Sequence, residues 1–306
     1  MHFISEAESS ALITHEMAYA AIREALVAAC DLGTASFPVV LGHGSSPGNR
    51  FSVKAAATSE VAGLKVGSYW PGNQARGLPR HNSMILLFDQ VVGRIATAIE
   101  AGVVNAYRTA AADAVAADLL ARPDARTLAI FGAGHQARYE CAALARVRTL
   151  EEIFVVARDP AKAALMAANL QEKGLHARPA GAEEACRAAD MIVTATSATA
   201  PLLDAAWVRP GTHIASMGSD AVGKQELPPS LFAAATLFCD LPEQSRRMGE
   251  FQHAAPELPL VALGHVITGR HPGRRTRDEV TIFDSSGLSI QDLYIARRIV
   301  EAANRS

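Results

Sequence analysis

The sequence predicts an α/β fold: a doubly wound parallel sheet of the Rossmann type, preceded by an N-terminal α+β domain and closed by one helix. Three observations carry this. The stretch TLAIFGAGHQA, Thr127 to Ala137, joins an apolar run to a glycine turn. After it, short apolar β-type runs alternate with helical segments, the pattern of βαβ units. Before residue 100 the chain instead shows short β-type runs broken by Gly, Pro and Asn. The expected limits are residues 1–112 for the N-terminal domain, 113–286 for the Rossmann domain and 287–306 for the C-terminal helix.

Leu128 to Phe131 has the composition of a strand covered on both faces. Gly132 and Gly134 follow at G-x-G spacing, with Ala137 at the third small position. Such a turn lets backbone approach a pyrophosphate, and the helix opening at His135 and Gln136 would aim unpaired N–H groups and its positive dipole end at that anion. A dinucleotide is therefore the expected ligand of this turn. At the end of the next strand, Ile153 to Ala157, a NAD-specific fold places an acid for the ribose hydroxyls. Here Ala157 is followed by Arg158 and Asp159. A guanidinium without that acid suits a 2′-phosphate, so NADP is expected in preference to NAD, the alternative being NAD with Asp159 reaching the ribose.

At 306 residues and 49% hydrophobic, the chain can bury a large core and supply two domains. A formal net charge of -2 with interspersed signs offers no basic patch for nucleic acid and no polybasic run for a lipid surface. Cys30, Cys141, Cys186 and Cys239 lack C-x-x-C spacing and a nearby His, so no metal site is expected and the thiols read as small core residues. The start MHFISEAESS has neither the basic end nor the apolar stretch of a signal peptide, and no apolar run reaches the length of a membrane span. A cytoplasmic protein acting on a small molecule is the expectation.

Along the chain, Ser5 and Glu8 form a capping-box pattern, and a second helix starts after Thr14 with the stripe Ala18, Ile22, Ala25, Leu26 and Ala29. Strands are expected over Val39–Leu41, Phe51–Ala55, Ala62–Val66, Met84–Phe88 and Arg94–Ala98. Lys65 and Arg50 sit in or beside these strands. A buried strand cation needs an anionic partner from the protein or a substrate, whereas on an edge strand the same side chains would simply reach water. Asn105 to Leu120 reads as an alanine-rich helix with Arg108 in its first turn, where a cation opposes the dipole. Arg108 is thus a candidate anion binder, the alternative being a local ion pair with Glu100 or Asp113.

The βαβ pattern continues through Leu175–Ala177, a helix over Ala182–Ala188 and the strand Met191–Ala195. Thr194 and Thr196, in the small polar loop TATSATAP, would border a ligand lying outside the strand ends. The strand His213–Met217 leads to Asp220, placed either for work in that crevice or as a turn residue, with Lys224 and Glu226 near enough in sequence to pair with it. Helices are expected over Ser230–Ala234 and Pro242–Gln252, a last strand over Val280–Asp284, and an amphipathic helix over Leu288–Ala303 that packs back on the first domain.

Five segments in order resemble the ornithine cyclodeaminase and mu-crystallin family nearly end to end: GLKVGSYWPGN around Lys65, AYRTAA around Arg108, IFGAGHQA, GSDAVGKQEL around Asp220, and TIFDSSGLSIQDL. The resemblance implies a homodimer joined through the N-terminal sheets, a Rossmann domain for NAD(P), and an active site in the cleft between domains. It also implies that Lys65 and Arg108 hold a substrate carboxylate, with Arg50 as a further carboxylate-binding arginine, and that Asp220 is the acid or base at the reacting nitrogen. Family members move hydride between nicotinamide and the α-carbon of an amino or imino acid. SYWPGN and SFPVV look more like the iminosuccinate and ketimine reductase branch than the ornithine enzymes. The expected activity is therefore reduction of an α-imino acid. The alternatives are an ammonia-releasing ornithine cyclodeaminase using catalytic NAD+, and a non-catalytic, crystallin-like nucleotide or ligand binder.

Overall fold

Ser5 and Glu8 do close a capping box: the Ser5 hydroxyl accepts from the Glu8 amide at 3.4 Å and the Glu8 carboxylate accepts from the Ser5 amide at 2.8 Å. The computed structural model describes residues 1–305. They divide into two units, Met1–Arg108 with the chain from Leu288 onward, and Thr109–Gly287. The first junction thus lies four residues before the expected 112, inside a continuous helix.

The first unit runs β1 (His2–Ile4), α1 (Glu6–Leu12), α2 (His15–Ala28), β2 (Ala35–Ser36), β3 (Val40–His43), β4 (Arg50–Ala57), β5 (Ala62–Tyr69), β6 (His81–Phe88) and β7 (Ile95–Glu100). It then enters α3 (Gly102–Leu120) and is completed by the last helix, α9 (Ser289–Ala303). Its sheet has the order β1-β7-β6-β5-β4-β2, with β3 also on β4. β1 runs parallel to β7, and the other pairs are antiparallel. β1 and β2, too short to show a period, were not expected.

α9 lies against α2 and across β4, β5 and β6. It buries Ile290, Leu293, Ala296 and Ile299, an i, i+3, i+6, i+9 stripe. Gly63 lets it approach: a Cβ there would stand 2.2 Å from the Leu86 carbonyl oxygen and 3.0 Å from the Leu293 side chain. α3 begins three residues earlier than its sequence suggests because Glu6, on α1, caps it. The Glu6 carboxylate accepts from the Gly102 amide at 2.8 Å and from the Val103 amide at 2.7 Å, an arrangement no local pattern reveals.

The second unit continues with β8 (Thr127–Phe131), α4 (His135–Val147), β9 (Glu152–Val156), α5 (Pro160–Gln171), β10 (Ala177–Pro179), α6 (Ala182–Ala188) and β11 (Met191–Thr194). Then come β12 (His213–Ser216), β13 (Thr236–Cys239), α7 (Pro242–Met248), β14 (Leu260–Ala262), α8 (Leu263–Ile267) and β15 (Thr281–Asp284). All eight strands are parallel, in the order β10-β9-β8-β11-β12-β15-β13-β14. The connection from β8 runs one way to β9, while β11 returns to its other side. The strand order reverses beside β8, which opens the crevice where such sheets take ligands. Ala129, Phe131, Phe154, Ile192, Ile214 and Ile282 belong to the core of this unit.

The expected helix over Pro242–Gln252 is broken after Met248. Gly249 has extended backbone, and a Cβ there would stand 2.1 Å from the Asp284 carboxylate, which accepts the Glu250 amide at 2.9 Å and the Ser245 hydroxyl. A buried acid from another strand therefore turns the chain. Among the described residues no helix is long and apolar enough to cross a membrane, and no His, Cys, Asp or Glu group is arranged to hold a metal ion.

Candidate active site

The glycine turn has the shape a dinucleotide phosphate requires. Gly132 has φ +122, and a Cβ there would stand 2.7 Å from the Ala195 carbonyl oxygen, so both backbone and space exclude a side chain. Gly134 is the N-cap of α4; no side chain caps the helix, and a Cβ on Gly134 would meet nothing within 4 Å. The first amides of α4, at His135, Gln136 and Ala137, therefore face outward with the positive end of a 13-residue helix dipole. Ala137 is fully buried, the close packing expected of the third small position. At the end of β9, Asp159 accepts the Ala161 amide at 3.0 Å as the N-cap of α5, while Arg158 stays exposed. These residues fit a bound NAD(P).

Beside β8, the loops after β11 and β12 are tied together by one buried carboxylate. Glu226 accepts the Thr194 hydroxyl at 2.8 Å, the Thr196 amide and hydroxyl at 2.7 Å each, the Ser216 hydroxyl at 3.1 Å and the Gly218 amide at 2.9 Å. Its expected pairing with Asp220 is thus corrected: the hydroxyls and amides around it saturate it first. Lys224 does pair with Asp220, at 2.5 Å, while also donating to the Gly218 carbonyl at 3.0 Å. Asp220 itself is exposed. Glu250 backs Glu226, accepting its amide at 3.0 Å and that of Leu227 at 2.8 Å, and burial, with Glu226 beside it, raises its pKa.

Lys65 and Arg108 meet in the first unit. β5 is an interior strand, so Lys65 does not reach water as it would from an edge; it is 5% exposed. Its ammonium lies 2.8 Å from the carboxylate of Asp292, on α9, and 2.9 Å from the Asn105 carbonyl oxygen. The Arg108 guanidinium donates to Asp292 at 3.0 Å, to Asn105 at 3.3 Å and to Gln291 at 3.4 Å. Because α3 starts at Gly102, Arg108 lies in the second turn rather than the first, and its partner is Asp292 rather than Glu100 or Asp113. Burial lowers the Lys65 pKa to about 7, helped by Arg108 and Lys54 and opposed by Asp292. Burial pushes the Asp292 carboxyl up, but Arg108 and Lys65 outweigh it and hold it below its ordinary range.

Two cations are thus shaped around one carboxylate. Arg50 does not join them: it is exposed at the start of β4, four positions before Lys54. Asp292 went unnoticed as a functional residue because 184 positions separate it from Arg108, although the SIQDL motif contains it. Lys54 went unnoticed because only the strand register places it opposite Lys65.

The sequence and the fold have counterparts among known proteins. The chain is 38% identical to the iminosuccinate reductase of Paracoccus denitrificans, covering 99% of this chain and 97% of that protein. The structure of that reductase in complex with NAD+ superposes with TM-score 0.91 at 37% identity, over 100% of this chain and 97% of the other. An archaeal alanine dehydrogenase dimer with bound NAD gives TM-score 0.93 at 30% identity, over 100% and 96%. The ornithine cyclodeaminase of Agrobacterium fabrum is 33% identical over 80% of this chain and 71% of that enzyme. With a match to its family model over residues 4–306 and a glycine turn built for NAD(P), this chain is an NAD(P)-dependent enzyme of the ornithine cyclodeaminase/mu-crystallin family.

Proposed function

We propose that the protein reduces an α-imino acid to the amino acid, with Lys65 and Arg108 binding the substrate carboxylate and Asp220 managing the proton on nitrogen. The observation that carries this reading is the pair of buried cations already gathered on a carboxylate, that of Asp292. A group of that shape and charge is what a substrate carboxylate would present to them. NAD(P)H, when bound, supplies the hydride for the α-carbon.

Gly132, Gly134, His135, Gln136 and Ala137 hold its pyrophosphate, and Thr194 and Thr196 border it, fixed by Glu226. Exposed Arg158, with no acid at Ala157 to favour the free ribose hydroxyl, supports NADPH as the preferred form. Lys65 and Arg108 fix the α-carbon by its carboxylate. Asp220 keeps the imine nitrogen protonated; as the C–H bond forms, the C=N π pair becomes the lone pair of the amine, which takes one more proton from solvent and leaves as the ammonium. Lys224 holds Asp220 in place.

The sheet face opposite Lys65 carries the cross-strand row Val40, Val53, Val66 and Met84, with Val40 and Val66 exposed. We assign this face to a homodimer. The four cysteines are all free thiols and suit the reducing cytoplasm.

The test follows NADPH and NADH absorbance with purified protein against pyruvate plus ammonia, oxaloacetate plus ammonia, and cyclic imino acids. Stoichiometric oxidation with one of these, faster with NADPH, supports the reading. Ammonia release from ornithine with catalytic NAD+ would replace it with cyclodeamination. Tight cofactor binding with no turnover on any substrate would replace it with ligand binding alone.

A further inference from the structure

Lys65 and Arg108 come from different elements, β5 and α3, and two side chains tie them together. Asp292, on α9, accepts from the Lys65 ammonium at 2.8 Å and from Nε of Arg108 at 3.0 Å. The Asn105 carbonyl oxygen accepts from the same ammonium at 2.9 Å and from Nη2 of Arg108 at 3.3 Å. Asn105 gives direction without charge, so the electrostatic part of the tie falls to Asp292. The helix that carries Asp292 is held by other contacts: its apolar stripe is buried, and its first turn is capped by Gln291, whose carbonyl oxygen accepts the Leu288 amide at 3.1 Å.

The charged groups that face Lys65 are Asp292 on α9, Arg108 on α3 and Lys54, its cross-strand neighbour on β4. Burial opposes the ammonium most, and Arg108 and Lys54 oppose it further; Asp292 favours it by charge and by hydrogen bond. A buried lysine answers an unfavourable field by giving up its proton, whereas a guanidinium keeps its charge. Lys65 is therefore the group that would yield if Asp292 were lost. With Asp292 in place, two cations and one carboxylate leave one net positive charge, which a single incoming carboxylate matches. Donors are left over as well. Nη1 of Arg108 donates to Gln291 and Nη2 to Asn105, so each keeps a second N–H for a ligand.

We propose that Asp292 is the positioning residue of the carboxylate site: it holds the Lys65 ammonium charged and aligned with Arg108, so that a substrate carboxylate meets two cations instead of one. Asp292 acts through Lys65 and does not itself touch the substrate. The effect on binding rests on the reading of Lys65 and Arg108 as carboxylate ligands, while the effect on the charge of Lys65 is independent of any substrate.

Two measurements on the full-length protein test it. The first needs no ligand: with an isotope label at lysine Cε, the Lys65 signal is identified by its loss in Lys65→Met and its titration is followed by NMR between about pH 4 and about pH 10. Asp292→Asn moves the midpoint about 1–3 pH units below wild type, and Asp292→Glu, which keeps the charge, moves it less. Should Asp292→Asn not fold, the comparison is made without Arg108. In Arg108→Met the lysine and Asp292 remain a balanced pair, and in Arg108→Met/Asp292→Asn the lysine can shed its proton, so neither variant has to bury an unpaired charge. The same fall in midpoint is expected between those two.

In the second, binding of pyruvate to the NADP+-saturated protein is measured by calorimetry across the same range. Wild-type affinity falls as pH rises through the Lys65 midpoint, because the ammonium is lost. Asp292→Asn weakens binding about 10- to 100-fold at neutral pH and recovers most of it on acidification, when Lys65 regains its proton. A Lys65 midpoint that stays in place, or a loss of affinity that is the same at every pH, would leave Asp292 with a purely structural role and overturn the proposal. If the midpoint moves but pyruvate binding is indifferent to Lys65 at every pH, Asp292 governs the charge of Lys65 and the reading of these cations as carboxylate ligands falls.

Discussion

The two units bury charge in opposite ways. In the first, Lys65 and Arg108 share the single carboxylate of Asp292. In the second, Glu226, Glu250 and Asp284 are buried at the ends of β12 and β15, and their oxygens are filled by backbone amides and by hydroxyls of Thr194, Thr196, Ser216 and Ser245. An acid surrounded by donors has no capacity left, and its work is to hold loops in place. A cluster with more cations than anions still has capacity, and that is the property of a binding site. Burial alone does not separate scaffold from site; the balance of donors and acceptors does.

The largest effect should follow from removing a cation of the unsaturated cluster. Lys65→Ala is expected to lower kcat/KM on the preferred imino acid about 1000-fold, with the cofactor dissociation constant unchanged. Steady-state kinetics with cofactor titration checks it, and a protein that merely unfolds would place Lys65 with the scaffold instead. Asp220→Asn comes next. Asp220 is exposed, so the change should lower kcat about 100-fold while leaving thermal stability and cofactor affinity near wild type. A normal kcat would remove Asp220 from proton transfer.

The saturated network makes a different prediction. Glu226→Gln turns an oxygen that accepts from its neighbours into an amide that donates toward them, and should cost about 2–3 kcal/mol of stability in urea unfolding. Lys65→Met, by contrast, should be neutral or stabilising by the same measure, because it leaves Arg108 and Asp292 as a balanced pair. If both variants cost the same, the distinction drawn between the clusters is wrong.

How much of this could be read from the residues alone follows the same division. The glycine turn is local: Gly132, Gly134 and Ala137 lie within six positions, so their spacing announces both the strand–turn–helix and its ligand class. The capping box at Ser5 and the stripe of α2 are legible for the same reason. The cationic cluster is assembled from β5, α3 and α9, and no window of sequence contains it. Lys65 looked like an edge cation until β4 and β6 were placed on either side, and the start of α3 was hidden because its cap comes from Glu6. Glu226 was visible as a neighbour of Asp220, but its true partners converge from other strands.

A third kind of buried charge lies between these two, and it predicts the smallest effect. Asp113, on α3, is fully buried against the carboxyl of Glu140, on α4, whose other contacts include the Gln136 amide at 2.7 Å. Here two carboxyls meet, and burial raises the Asp113 pKa to about 7 from an ordinary 3.8, opposed by its hydrogen bond with Glu140. Between those values the folded protein keeps a proton that the unfolded chain releases. The stability this proton contributes is complete below about pH 4 and is lost as pH rises toward 7. Asp113→Asn keeps a donor toward Glu140 at every pH. It should therefore raise the melting temperature at pH 8 by a few degrees, on the order of 1–2 kcal/mol, with the gain vanishing near pH 4. Melting curves of both proteins across that range check it. A gain that stayed constant with pH would mean that Asp113 holds no proton, and that the carboxyl pair belongs with the acids that their neighbours have already satisfied.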